Sequence, residues 1–210
     1  MFTGIVEQIG KIQKIEKNRF TLSHGYTEPF EIGESIALSG ACMTILKTSL
    51  IKETGLRIIE IEMMEESRNR TTFKQAQEGD LVNLERSARI GDRNSGHQVT
   101  GHIDEVGKIL KIEKKSDFWV FRISVSQENE KLVVHKGSIA VDGISLTVSH
   151  VSEPNPSSEV KEPGFEIPWF EVSILPYTWG ETNLHAKKEG DGVNLEFDII
   201  GKYLLRQNNG

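Results

Sequence analysis

The 210-residue sequence predicts an all-β fold of two tandem Greek-key barrels, produced by an internal duplication and followed by a short C-terminal α-helix. Three observations carry that expectation. Val, Ile and Thr total 48 residues against 6 Ala, and β-branched side chains suit pleated strands better than helix turns. The chain also repeats itself: MFTGIVEQIGKIQKIEK (1–17) lies over QVTGHIDEVGKILKIEK (98–114) at an offset of 97, with nine identities in seventeen positions. Two further matches follow in the same order, SIALSGACMTI (35–45) over SIAVDGISLTV (138–148) at an offset of 103, and EGDLVNLE (78–85) over EGDGVNLE (189–196) at 111.

Each copy of about 97 residues is large enough to fold around one small core. The expected boundaries are 1–97, 98–197 and a helical tail 198–210. Within the first copy the strand signals run Ile9 to Ile15, Ser35 to Leu46, Leu56 to Met63 and Leu81 to Leu84. Gly, Asn and Asp clusters separate them, and the Glu-Gly-Asp tripeptides supply turn chemistry before each VNLE strand. Short antiparallel strands leave edges that need closure, which a barrel provides; a β-sandwich is the alternative. The growing offset places insertions in the second copy, the larger being 152–169, which holds four of the six prolines and reads as a surface loop. Asp198 to Gln207 has helical spacing, with Ile199, Ile200, Tyr203 and Leu204 on one side. So short a helix must dock, either on its own barrel or on copies of itself.

Composition excludes several classes. A net charge of −6 argues against a surface built to neutralise nucleic-acid phosphates. One cysteine, Cys42, permits neither an internal disulfide nor a Cys-rich zinc site. No stretch approaches the ~20 apolar residues of a membrane span and the start lacks a basic region before an apolar run, so a cytoplasmic protein is expected. Walker, HExxH and GxSxG motifs are missing from the sequence. Arg68, Arg70, Arg86, Arg89 and Arg93 read as a solvated face.

A duplicated barrel offers two similar pockets, and the positions where the copies diverge are the informative ones. Ile5 becomes His102, Ser39 becomes Asp142 and Cys42 becomes Ser145, while Ser35/Ser138 and Thr44/Thr147 are alike. One pocket is thereby expected to carry a thiol and the other an imidazole, a carboxylate and a hydroxyl. Each has a plain structural reading as well: a small core side chain for Cys42 and an ordinary turn for Asp142-Gly143.

The start MFTGIVEQIG, the repeated TGHIDEVG, the pair SGACMTI and VDGISLTV, and the doubled EGDxVNLE together resemble the riboflavin synthase family over almost the whole chain. The resemblance implies two six-stranded Greek-key barrels and a C-terminal helix, a homotrimer built through that helix, sites between the N-terminal barrel of one subunit and the C-terminal barrel of another, and an association with lumazine synthase. It implies dismutation of two 6,7-dimethyl-8-ribityllumazine molecules to riboflavin and 5-amino-6-ribitylamino-2,4(1H,3H)-pyrimidinedione without metal or organic cofactor. By the same resemblance the first pocket is formed by Gly4, Ile5 and Val6, by Cys42, Met43 and Thr44, and by Glu62, Met63, Met64, Glu65, Glu66 and Ser67. The second uses Gly101, His102 and Ile103, then Lys136, Ser145, Leu146 and Thr147, and Ser173, Ile174, Leu175, Pro176, Tyr177 and Thr178. His102 is assigned proton transfer at the C7 methyl, Cys42 and Ser35 addition or water activation at C7, and Ser145, Thr147 and Asp198 orientation or proton relay. A non-catalytic lumazine or flavin carrier on the same fold is the alternative reading.

Overall fold

The computed structural model describes residues 1–152 and 167–208. Strands β1 (Gln8–Glu16), β2 (Arg19–His24), β3 (Ser35–Leu38), β4 (Ala41–Leu50), β5 (Arg57–Glu62) and β6 (Leu81–Arg86) close into an antiparallel barrel in the order β1-β2-β5-β4-β3-β6. The second copy repeats this order with β7 (Glu105–Lys114), β8 (Trp119–Ser124), β9 (Ser138–Val141), β10 (Ile144–Val151), β11 (Trp169–Ile174) and β12 (Gly192–Phe197). Short helices α1 (Glu65–Asn69) and α2 (Pro176–Glu181) follow β5 and β11, and α3 (Ile199–Asn208) ends the described chain. Barrels, not a sandwich, are the outcome. Of the proline-rich run 152–169, residues 153–166 lie outside the described residues, and its flanks pair through the Ser152 amide and the Trp169 carbonyl at 2.8 Å.

Two local features depart from the expected strands. The run from Ser35 to Leu46 is a hairpin, because Ser39 and Gly40 both adopt positive φ (41° and 84°), the geometry of a two-residue type I′ turn. Asp142 and Gly143 do the same between β9 and β10 (45° and 77°). β2 was not among the expected signals: in Arg19–His24 only Phe20 and Leu22 alternate cleanly inward before the buried Ser23 and His24, too brief a period-2 pattern to stand out.

Each barrel has its own apolar core. Phe20, Leu22, Ile36, Leu38, Ile45, Ile59, Ile61 and Leu84 fill the first, while Phe121, Ile123, Ile139, Val141, Phe170, Val172, Leu195 and Phe197 fill the second. Each such side chain contributes about 1.5–3 kcal/mol on burial. A third small cluster of Phe2, Val99, Ala37 and Ala140, with Cys42 against it, lies between the barrels. Its members are the duplicated positions themselves, so it marks an internal two-fold relation.

Around that axis the polar groups are shared reciprocally. Asn194 Nδ2 donates to the Ser39 carbonyl and Asn83 Nδ2 to the Asp142 carbonyl, both at 2.9 Å. The Asn194 Oδ1 accepts from the Thr72 amide at 2.8 Å and Asn83 Oδ1 from the Asn183 amide at 2.7 Å. Gly40 and Gly143 meet backbone to backbone; a Cβ on either would come within 2.8 Å of the other's nitrogen. Symmetry fails where Asn183 replaces Thr72 and, more strongly, at Asp142, which is fully buried and paired with Lys187 at 3.1 Å, where the first copy has Ser39 and Ala76. Ser39 and Asp142 therefore belong to the barrel–barrel seam, which corrects the expectation that they furnish the pockets.

α3 is capped by Asp198, whose Oδ1 accepts from the Ile200 amide at 2.9 Å. Lys202 ties the helix to Asp104 at 2.6 Å, and Gly201 faces Leu132. The stripe of Ile200, Tyr203 and Leu204 is 66%, 71% and 57% exposed. It does not close the chain's own barrel.

Candidate active site

The Thr-Gly dipeptide that opens each copy is held by the glutamate that ends each EGDxVNLE run. Glu85 accepts from the Thr3 amide at 2.6 Å, the Thr3 hydroxyl at 2.8 Å and the Gly4 amide at 3.1 Å. Glu196 accepts from the Thr100 amide at 2.6 Å, its hydroxyl at 2.7 Å, the Gly101 amide at 2.9 Å and the His102 amide at 3.1 Å. Both glutamates are buried, and convergent backbone N–H groups make such a carboxylate tenable. Burial pushes the Glu85 carboxyl above its ordinary range, against the pull of the Thr3 and Gly4 hydrogen bonds.

Anchored so, each arm crosses to the opposite barrel. The Ser145 amide donates to the Gly4 carbonyl at 2.7 Å and the Cys42 amide to the Gly101 carbonyl at 2.8 Å. Val6 packs on the second core and Ile103 on the first. The expected grouping by copy is thereby corrected. Gly4, Ile5 and Val6 lie with Ser145 on the second barrel, while Gly101, His102 and Ile103 lie with Cys42 on the first. The segment that carries His102 thus lies against the strand that carries the thiol.

Both walls are outer faces of hairpins. On β4 the side chains of Ala41, Met43 and Ile45 are buried, so Cys42, half-buried, and Thr44, exposed, project outward. Ser35 is the cross-strand partner of Thr44. On β10 Ser145 and Thr147 project outward and Thr147 faces Ser138 across the ladder. Met43, Met63 and Ile174 point into the barrel cores with 8%, 1% and 0% exposure, and Leu146 packs on the second core. Met43, Met63 and Ile174 therefore have only their backbone groups to offer a ligand. Met64 and, in α1, Glu65 and Glu66 are exposed, as are Leu175 and, in α2, Pro176 and Tyr177; Glu62 and Glu66 meet Arg19 and Arg70 at 3.4 and 3.3 Å. Arg86, expected on a solvated face, instead pairs with Glu7 at 3.0 Å over Tyr26.

One residue of the second wall, His97, goes beyond the sequence expectation, and Lys136, which was expected there, has an unusual backbone. His97 Nδ1 stands 2.7 Å from Ser145 Oγ, and its amide donates to the Thr3 carbonyl at 3.1 Å. Burial lowers the His97 pKa, with the nearby charges of Asp198 and Glu196 opposing it, so the ring is neutral near pH 7 and able to take a proton from Ser145. Lys136 holds φ at 66° where the first copy has Gly33 at 92°. That backbone costs a lysine about 1–2 kcal/mol.

Two concave features of the single chain reach these walls only at Ile5. A groove of about 540 Å³ is lined by Thr3, Ile5, Glu7, Glu85 and Arg86, and another of about 500 Å³ in the seam by Thr72, Phe73, Asn183 and Lys187. Cys42, His102, Ser145 and Thr147 line neither. Among the described residues there is no group of three His, Cys, Asp or Glu placed to hold a metal ion, and no helix is long and apolar enough to cross a membrane.

Fold and site define a tandem lumazine-binding barrel protein: the family model for the lumazine binding domain matches twice, over residues 3–87 and 100–198. The chain is 36% identical to the riboflavin synthase of Actinobacillus pleuropneumoniae over 97% of its own length and 88% of the relative's. It is 35% identical to that of Brucella abortus over 98% and 97%. The chain belongs to the riboflavin synthase family, which is a family of enzymes. Solved structures of LumP complexed with riboflavin and with 6,7-dimethyl-8-(1'-D-ribityl) lumazine share its fold, with TM-scores of 0.73 and 0.70 at 23% and 24% identity. They cover 94% and 93% of this chain and 99% and 98% of theirs.

Proposed function

We propose that the protein dismutates two molecules of 6,7-dimethyl-8-ribityllumazine to riboflavin and 5-amino-6-ribitylamino-2,4(1H,3H)-pyrimidinedione. The observation that carries the reading is the crossing of the arms. One chain presents two related walls of different chemistry, Cys42–Thr44 with Gly101–Ile103, and Ser145–Thr147 with Gly4–Val6. Two copies of one substrate with unlike roles call for such a pair. Four carbons, C6 and C7 with their methyls, leave one lumazine and complete the new ring on the other, so atoms balance without an outside oxidant.

The protein's main contribution is positioning. Holding two ligands in reacting geometry removes about 7–11 kcal/mol of entropic and solvent barrier. Backbone amides and carbonyls of the arms suit the pyrimidinedione edge. His102 moves the proton of the C7 methyl; Cys42, with Ser35 and Thr44 beside it, delivers the nucleophile or a water to C7. His97 is the base for Ser145, Thr147 completes that wall, and Asp198 acts through the charge it places near His97 while capping α3. Lys136 reaches the ligand of the second wall, as do Ser173, Leu175, Pro176, Tyr177 and Thr178; Met64, Glu65, Glu66 and Ser67 edge the first.

The open walls and the exposed stripe of Ile200, Tyr203 and Leu204 support a homotrimer in which the first barrel of one chain covers the second of its neighbour. The reading extends to a cytoplasmic location and an association with lumazine synthase. Sedimentation of the wild type and of Tyr203→Asp tests the assembly, a trimer falling to monomer with loss of turnover being the expected result. His102→Gln, Cys42→Ala and His97→Gln that bind ligand normally and keep full turnover would overturn the assigned roles.

A further inference from the structure

Two indoles at the end of β11, the strand that flanks β10 of the second wall, are the strongest feature that the proposed chemistry does not use. The rings of Trp119 and Trp179 stack with centroids 4.3 Å apart and planes within 4°. Phe121 stands 6.0 Å from Trp179, and Lys114 Nζ is 5.5 Å from the Trp119 ring centroid. In the ladder Trp119 lies across from Ile174, the last residue of β11. From there the chain turns through Leu175 to Thr178 and lays Trp179 back on Trp119, so the stack closes over the base of the turn. α2 spans six residues and has no side-chain cap at its start. A helix that short has no stability of its own, and tertiary contact decides where it sits.

The first copy solves the same problem differently. The offset of 111 puts Arg68 where the second copy has Trp179, and Asn18 stands in the place of Trp119, its carbonyl accepting from the Met63 amide at 2.8 Å. There Arg68 Nη1 donates to the Lys17 carbonyl at 2.7 Å, with its guanidinium 5.7 Å from the Phe20 ring. A hydrogen bond that competes with water holds one lip, and an aromatic stack joined to the core holds the other.

We propose that Trp119 and Trp179 are positioning residues for the second wall: their stack fixes the Leu175–Thr178 lip against the ligand at Ser145, and its removal weakens that wall alone. The inference rests on the reading that both walls bind lumazine and flavin.

The experiment compares wild type with Trp179→Leu, Trp119→Leu, Trp179→Phe and, in the first copy, Arg68→Ala. Riboflavin binding is titrated by fluorescence quenching, steady-state turnover is measured on the lumazine, and the exciton couplet of stacked indoles is read by circular dichroism. Wild type shows the couplet and two binding phases per chain. Both leucine variants lose the couplet, weaken one phase and raise KM roughly three- to tenfold, the scale of one aromatic pair, with kcat retained. Trp179→Phe, still able to stack, recovers the lost affinity, and Arg68→Ala spares the phase that the leucine variants weaken. Trp119→Leu leaves Trp179 on the core and covers the case of a poorly folding Trp179→Leu. Folded leucine variants with both phases and KM unchanged overturn the inference while the wild-type activity stands. A wild type that neither binds nor forms riboflavin removes the functional reading and the inference with it.

Discussion

The Cys42 amide donates to the Gly101 carbonyl at 2.8 Å, and this bond carries the opening arm of the second copy onto the first barrel. It lays the segment that carries His102 against the strand that carries the thiol. The contact is close enough that a Cβ at Gly101 would lie 2.5 Å from the Cys42 Cβ, and Gly101 has φ of +84°.

Gly101→Ala is therefore expected to push the arm off the wall. Strain at positive φ and the clash together destabilise by about 2–4 kcal/mol, and turnover falls at least a hundredfold because a misplacement near 1 Å costs about that much. Thermal unfolding and riboflavin formation measure the two effects, and a fully active alanine variant contradicts the geometry.

Lys136→Gly separates stability from function. Relieving the left-handed lysine raises stability by about 1 kcal/mol, while the loss of the ammonium raises KM for the lumazine. Denaturant titration read beside KM shows both signs; a variant that is no more stable, or that binds substrate as well as wild type, removes the argument from strain.

The Asp142–Lys187 pair invites a double-mutant cycle. Lys187→Ala leaves a buried carboxylate with only its bonds from the Asn194 amide at 2.7 Å and Asn183 Nδ2 at 3.0 Å, at a cost of about 2–4 kcal/mol. Adding Asp142→Ser writes the Ser39 and Ala76 pair of the first copy into the second. The double variant is expected to regain more than half of the loss in equilibrium unfolding, and additive losses would contradict the account.

His24 sets an acid limit. It is 2% exposed among Tyr26 and Phe30, with edge-to-face ring contacts at 5.3 and 5.2 Å. Its Nδ1 accepts from the Tyr26 amide at 3.3 Å, and its Nε2 has no hydrogen-bond partner among the described residues. Burial, helped by the charge of Arg57, lowers its pKa to about 4 from 6.5. The unfolded chain thus binds the proton first: the contribution is complete above pH 6.5 and is lost as pH falls toward 4, a loss of roughly 2–4 kcal/mol. His24→Phe should flatten stability over that interval, and an unchanged acid limb would show that His24 does not cause it.

The barrels were legible because duplication and strand alternation are local patterns. Ser39-Gly40 and Asp142-Gly143 even carry the hairpin signal, although the apolar run around the first, Ser35 to Leu46, has the composition of a single strand. The crossing of the arms was not legible, since Gly4 and Gly101 lie in irregular segments whose partners across the seam, Ser145 and Cys42, belong to the other copy, and even the anchors Glu85 and Glu196 are 82 and 96 residues from Thr3 and Thr100. The repeated terminal glutamate of EGDxVNLE was the available clue. His97 falls at the boundary of the two copies, and nothing local in the sequence tells that Ser145 sits 2.7 Å from it. Asp198 shows the reverse case, a residue picked for chemistry that the structure also employs as a helix cap.

The most direct test of the account is the product balance of the purified protein incubated with 6,7-dimethyl-8-ribityllumazine alone, quantified by chromatography. The account predicts catalytic formation of one riboflavin and one pyrimidinedione for every two lumazines consumed, with no added metal or cofactor. Stoichiometric binding of the lumazine, with neither product released, would contradict it.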